Sequence, residues 1–369
     1  MTPGKIAAGI GIGVGVWVAT TVWSQDAAQS GTPTEAQWNS PGAQAFVAKA
    51  RSFAGSDPDL QFDFNFNCTP DGTHAGGSTG NGPASGGGGG DGAILGNSEP
   101  KMTYVPNPRP AKPLPPQRVF DNLWWFGDSS VGSWLITTPT GYILFDTLND
   151  ADEEQSVLLD GMKKNGLDPR LIKYVVMGHW HLDHTGGAHL IQSTYHPVMI
   201  MGRDDWPLYY KAVASTEGQG ARLKDKVPMT QGRDAEDGMT LTVGDTTVTL
   251  YSMPGHTPGS TGMIFSARYQ GKLHPILLVT ASAGGNNVRN RESFIGGYEH
   301  IWNAGEKARV ESVMQAHPNY NMNTLSRMAY VSEHYPTAVN PMLYGVDRTH
   351  RYIEITRACS QARLAALGW

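Results

Sequence analysis

The sequence predicts a mixed α/β (α+β) chain, and three observations carry that prediction. Short β-branched runs alternate with helical stretches through the last two thirds of the chain. Two of those runs are joined as a hairpin around Gly244-Asp245. A third run, Leu171–Met177, leads directly into His179-Trp180-His181-Leu182-Asp183-His184 and then a Gly186-Gly187 turn that opens a helix. Four residues able to bind metal within six positions, at a strand-to-helix junction, mark the expected functional site.

The elements follow in order. Lys5 supplies a positive start, Ile6–Trp23 is apolar but diluted by glycine, and small residues at Ser24 and Ala27-Ala28 suit a cleavage site. Residues 1–28 are therefore expected to be a signal peptide. An uncleaved anchor is the alternative, because 18 apolar residues lie at the lower limit for crossing a bilayer. Either way the remainder would be periplasmic or secreted. Residues 29–117 form an N-terminal extension. Gln37–Phe53 has apolar Ala43, Phe46, Val47 and Ala50 at helical spacing, with Pro41 in its first turn. Residues 69–100 are low-complexity, with glycine throughout 86–90, and suit a disordered linker. Proline-rich residues 104–117 suit an extended strap.

The domain spanning 118–369 opens with short strands at Asn122–Phe126, Ser133–Thr138 and Tyr142–Asp146. A helix near Asp152–Lys164 ends at Asn165-Gly166, and strand Ile172–Met177 feeds the histidine loop. A helix from about Ala188, strand Pro197–Met201, an irregular polar stretch 203–238 and the hairpin Met239–Val243/Thr246–Leu250 come next. Strand Pro275–Val279 and a helical stretch Gly305–Met314 complete the series. No fixed repeat period is present.

Composition limits the function classes. Apolar residues make up 39% and charged residues 17%, which suits a globular protein with a polar tail. A net charge of −5, without a long basic run, argues against nucleic-acid binding. The two cysteines, Cys68 and Cys359, lie far from the histidine loop and are not expected to bind metal. In an exported protein they could form a disulfide between the extension and the last helix.

His179 and His181 alternate across one residue, so in extended chain they face the same way. Asp183 and His184 follow where the chain turns and can face a second point. Two further histidines sit at the ends of regular elements: His256 in Pro254-Gly255-His256-Thr257-Pro258-Gly259, and His317 in Ala316-His317-Pro318. His-x-His-x-Asp-His, then Pro-Gly-His-Thr-Pro-Gly, then a distant histidine resembles the metallo-β-lactamase superfamily, and most closely its subclass B3 enzymes. The resemblance covers roughly Arg118 to the C-terminus. It implies an αββα sandwich with two Zn²⁺ ions, one held by His179, His181 and His256, the other by Asp183, His184 and His317. It also implies that Asp146, ending the strand Leu144-Phe145-Asp146, supports the metal loop from behind the ligands.

Many superfamily members place a metal-bridging aspartate after the strand matching Pro275–Val279. Here the chain continues Thr280-Ala281-Ser282-Ala283-Gly284-Gly285, with no carboxylate. The resemblance to subclass B3 instead implies substrate contact by Ser282 and Thr280. Simple turn chemistry is the alternative for both hydroxyls. Trp180, Trp206, Tyr209 and Tyr210 could wall a pocket, with core packing the alternative for these aromatics. Asn286, Asn287 and Arg289 could contact substrate by position. The implied reaction is opening of a β-lactam amide by zinc-bound hydroxide, with Asp183 both ligand and orienter. Hydrolysis of another ester, lactone or thioester, and a non-catalytic zinc module, are the alternatives. The expected partner is a small molecule, with no nucleic acid and with a membrane only if residues 1–28 remain as an anchor.

Overall fold

The computed structural model describes residues 32–70, 102, 111–280, 291–318 and 324–369. The signal segment, the glycine-rich run and residues 104–110 of the strap lie outside those residues. The described chain begins with α1 (Glu35–Trp38), α2 (Pro41–Ala54) and α3 (Pro58–Asn67). Thr34 and Gln37 cap α1 reciprocally. The single helix expected over Gln37–Phe53 is therefore two. Pro41 has no N–H to continue the α1 ladder, but it starts α2 well. The sequence offered no sign of α3, whose Leu60, Phe62, Phe64 and Phe66 alternate like a strand. Asp57 caps it by accepting from the Asp59 and Leu60 N–H groups.

The first sheet starts with an antiparallel series: β1 (Gln117–Phe120), β2 (Leu123–Gly127), β3 (Gly132–Thr138) and β4 (Gly141–Phe145). After β4 come α4 (Ala151–Glu153), a π-helical segment Glu154–Leu159 and α5 (Asp160–Lys164). The chain then runs through β5 (Ile172–Val176), α6 (Leu182–Thr185), α7 (Ala188–Tyr195), β6 (Val198–Gly202), α8 (Trp206–Ala214) and β7 (Arg233–Ala235). β4, β5, β6 and β7 pair in parallel. The second sheet is an antiparallel meander of β8 (Thr240–Val243), β9 (Thr246–Ser252), β10 (Thr261–Tyr269) and β11 (Lys272–Val279). Then come α9 (Arg291–Ser293), a π-helical segment Phe294–Glu299 and α10 (His300–Lys307). β12 (Ser312–Gln315) pairs parallel to β11, and α11 (Thr324–Glu333) and α12 (Val346–Leu367) end the chain.

Two further expectations need correction. The helix expected over Gly305–Met314 stops at Lys307, and its second half is β12. The stretch 203–238, expected to be irregular, contains α8 and β7. Pro207 in the first turn of α8 hid a helix dense in aromatic residues.

Side-chain alternation turns the two sheets toward each other. Met263, Phe265, Ala267 and Tyr269 of β10 point inward and pack in one buried cluster with Trp134, Ile136, Phe145 and Val176 of the first sheet. A second cluster joins Leu144, Val175 and Met199 to Ile191 of α7 and Trp206 and Tyr209 of α8. A third joins Leu277, Val279 and Val313 to α2, α10 and α12. The layers are helix, sheet, sheet, helix, as expected. Helices of the extension thus belong to one outer layer, where a Cys68–Cys359 disulfide ties the end of α3 to α12. No helix among the described residues is long and apolar enough to cross a membrane. The pairing directions put the C-terminal ends of β4, β5, β9, β11 and β12 at one end of the sandwich. Loops leaving those ends converge there, where open α/β sheets commonly carry their sites.

Candidate metal centre

Each candidate ligand hangs from one of these strand ends. His179, His181, Asp183 and His184 follow β5, His256 follows β9, and His317 follows β12. Gly178 makes the first turn possible: a Cβ there would lie 2.0 Å from the Thr280 Oγ1. Gly186 is equally constrained, since its Cβ would meet the Asn149 carbonyl oxygen at 1.9 Å.

The ligand atoms gather as two sets. His181 Nδ1 lies 3.0 Å from both His179 Nε2 and His256 Nε2. His184 Nε2 lies 3.2 Å from His317 Nε2, and Asp183 Oδ2 lies 3.5 and 3.6 Å from those two nitrogens. Donors around a tetrahedral ion with bonds of about 2.0–2.1 Å stand about 3.3–3.4 Å apart, so both sets have the right size. Their chemistry agrees. Lone pairs of neutral imidazoles repel at this distance unless a cation or proton sits between them.

The other ends of the histidines fix which atoms face inward. His179 Nδ1 meets Thr280 Oγ1 at 2.6 Å, His184 Nδ1 meets Asp146 Oδ2 at 2.7 Å, and His317 Nδ1 donates to the Ser130 carbonyl at 2.7 Å. With the proton on Nδ1, each Nε2 keeps its lone pair for the centre. Asp146 also accepts the Gly178 N–H at 2.7 Å, clamping the start of the loop. It does so from a left-handed backbone, φ 66°, which aspartate tolerates better than most residues.

The electrostatics favour a cation. Burial, followed by the neighbouring histidines His184, His256 and His181, holds His179 well below the usual imidazole pKa, so it stays neutral. Burial would raise the Asp183 carboxyl, but His184, His317 and His181 outweigh it and hold that group well below the ordinary carboxylate range. Burial opposes protonation of His184, yet Asp183 and Asp146 prevail and make its position attractive to positive charge. These donors fit a divalent metal.

Two residues unforeseen in the sequence brace the loop. Asp205 is fully buried at the start of α8 and accepts from Trp180 N (2.9 Å), Thr257 Oγ1 (2.7 Å) and Gly259 N (2.8 Å). It links the loop after β5 to the loop carrying His256. Gln219 accepts from Leu182 N at 2.9 Å and donates to Asp183 Oδ1 at 3.1 Å. Asp205 ends a polar Arg203-Asp204-Asp205 run just after a strand, which is a weak signal; Gln219 offers none.

The substrate candidates fall out unevenly. Ser282 and Asn286, with Asn287 and Arg289, lie outside the described residues. Thr280 is fully buried, and its hydroxyl meets His179 Nδ1. Trp206 and Tyr209 are core residues, the alternative weighed for them, while Tyr210 is half-buried beside them. Trp180 is half-buried with its ring 4.3 Å from that of His181. Both line a groove of about 370 Å³ with Leu208, Lys211, Glu217 and Gln219. His274, His300 and His350 pair with Glu311, Asp237 and Glu306, away from the centre. Glu306, His350 and Glu354 cluster as metal ligands could, but Arg357 and Lys49 already neutralise those carboxylates.

Residues 127–274 match the family model of the metallo-beta-lactamase superfamily. Among solved structures, the chain is similar to BJP-1, a subclass B3 metallo-beta-lactamase of Bradyrhizobium japonicum. That likeness has 21% identity and a TM-score of 0.52, over 65% of this chain and 90% of that one. It is similar also to the FEZ-1 metallo-beta-lactamase of Legionella gormanii, with 23% identity and a TM-score of 0.54, over 67% and 94%. At these identities the likeness shows the fold alone, which is the metallo-β-lactamase fold that the ligand pattern led one to expect. Among curated proteins, an N-acyl homoserine lactonase of Bacillus sp is 26% identical over 167 residues, 45% of this chain and 60% of that protein. The chain spans 41–60% of the length of the curated relatives it matches. The histidine-rich centre offers donor groups that could hold a metal ion within that fold.

Proposed function

We propose that the chain is a dinuclear zinc hydrolase that opens the amide of a β-lactam. One observation carries the choice within the fold. Six donors form two sets of three, and the stretch Thr280–Gly285, next in sequence after β11, contains no carboxylate to bridge them. Three protein ligands per ion leave a position for water or substrate, unlike a closed structural site. His179, His181 and His256 would hold one ion, and Asp183, His184 and His317 the other. When bound, zinc supplies Lewis acidity and lowers the pKa of a coordinated water toward neutrality. Asp183 is suited to orient the attacking water, since it stays ionised and has one oxygen on the centre. Trp180 walls the groove beside His181 and narrows what enters there. Ser282 is proposed to hold the substrate carboxylate. Residues 1–28 are proposed to direct export, and the Cys68–Cys359 disulfide supports an oxidising compartment.

A second reading, hydrolysis of a lactone, is favoured by the curated relatives named as N-acyl homoserine lactonases. Purified, zinc-loaded protein should turn over nitrocefin, lose that activity to a chelator and regain it with Zn²⁺. Turnover of an N-acyl homoserine lactone without nitrocefin would transfer the assignment to the second reading. Bound zinc with no hydrolysis of either would leave a binding module.

A further inference from the structure

We infer that Gln219 is a positioning residue for Asp183, selecting which carboxylate oxygen is presented to the metal centre. The inference rests on Asp183 being a ligand, as proposed above. Gln219 lies between Gly218 and Gly220 on the stretch joining α8 to β7, 36 residues from Asp183. A Cβ on Gly220 would lie 2.2 Å from the Ala212 carbonyl, so glycine lets this stretch tuck against α8 and sets where Gln219 stands. The amide makes two contacts into the ligand loop. Its Oε1 accepts from Leu182 N at 2.9 Å, and its Nε2 donates to Asp183 Oδ1 at 3.1 Å. A backbone N–H can only donate and an ionised carboxylate can only accept, so the two ends of the amide are unambiguous.

Asp183 Oδ1 is thus engaged from outside, while Oδ2 faces His184 Nε2 and His317 Nε2 at 3.5 and 3.6 Å. The arrangement keeps the carboxylate a one-oxygen donor, because turning Oδ1 inward would break the Gln219 bond. It does so without charge. A lysine or arginine in that place would weaken the carboxylate's pull on a cation, and a glutamate would repel it. Gln219 also lines the groove with Trp180 and His181, so one side chain borders both the groove and the ligand carboxylate.

Three substitutions in the full chain separate positioning from simple anchoring of the loop. Gln219→Glu keeps an acceptor for Leu182 N but sets a negative oxygen against Asp183 Oδ1. Gln219→Met keeps the length without charge or donor, and Gln219→Ala removes both contacts. The readout is stepwise Zn²⁺ binding to the metal-free protein against a chromophoric chelator, with a melting curve to show that each variant is folded. The wild type should bind two equivalents. All three variants should bind one equivalent as the wild type does and the other about 10–100-fold more weakly. A Gln219→Glu protein that binds both equivalents like the wild type, or loses both equally, overturns the positioning role alone. A wild type that binds fewer than two equivalents overturns the ligand assignment and this role with it.

Discussion

His179 illustrates how one residue is aimed by the atom it turns away from the site. Its Nδ1 meets Thr280 Oγ1 at 2.6 Å, and the absent Cβ of Gly178 leaves room for that hydroxyl. Thr280→Val keeps the shape and removes the hydroxyl, so the ring loses the partner that fixes its tautomer. Affinity for the ion held by His179, His181 and His256 should fall about 10–100-fold, while Thr280→Ser retains it. Because Thr280 is fully buried, KM at saturating zinc should barely move. A raised KM with intact zinc affinity would point to substrate contact instead. The ligand histidines were legible because their spacing has few other uses, and Asp146 because it ends a strand beside them. Thr280 was legible as a hydroxyl but not in direction, since adjacency to Ser282 says nothing about which way a side chain turns. Gln219 was not legible at all, because its link to Asp183 exists only once the stretch after α8 folds back.

Between elements, Asp205 acts as a splice. From the start of α8 it accepts hydrogen bonds from the loop after β5 and the loop after β9. Burial pushes its carboxyl up to about 6, against the opposing hydrogen bonds from Thr257, Gly259 and Trp180. A folded-state pKa above the unfolded 3.8 means this group's contribution is complete below about pH 4 and is lost as pH rises through about 6. Roughly two pKa units correspond to something on the order of 3 kcal/mol. In metal-free protein, the urea midpoint should therefore drop between pH 4.5 and 7 by more in the wild type than in Asp205→Asn, which cannot ionise. Equal drops would show that Asp205 does not titrate in this range. Asp205→Asn should also be less stable at pH 4.5, because an amide nitrogen only donates, whereas both carboxyl oxygens of Asp205 can accept from the donors that face them. The elements themselves were mostly legible, since β-branched runs between turn residues mark β3, β5, β9 and β11. The misses share a cause: local pattern conflicted with tertiary role. The alternating phenylalanines of α3 imitate a strand, and the four-residue β12 merges with the end of α10 in any helical window.

At the scale of the whole molecule, function and fastening sit in different layers. All six proposed ligands hang from strand ends of the two sheets, whereas the disulfide lies in the outer layer of α2, α3 and α12. Cys68 and Cys359 are separated by 291 residues, so their bond removes a large share of the unfolded chain's freedom. Beside it, buried Asp59 pairs with Arg327 of α11 and with Arg348 of α12 at 2.8 Å, which fixes α3 to both helices. An ion pair of this kind sets the register of the layer, while the covalent link chiefly raises the cost of leaving it. Replacing both cysteines with serine should lower stability by something on the order of 4 kcal/mol, seen as a lower urea midpoint under oxidising conditions. The same shift should follow from adding a reductant to the wild type, and reductant should leave the variant unchanged. Zinc stoichiometry and hydrolysis, measured well below the variant's midpoint, should match the wild type. Loss of one zinc equivalent in the folded variant would show that the outer layer holds the strand ends in place and does more than fasten the chain.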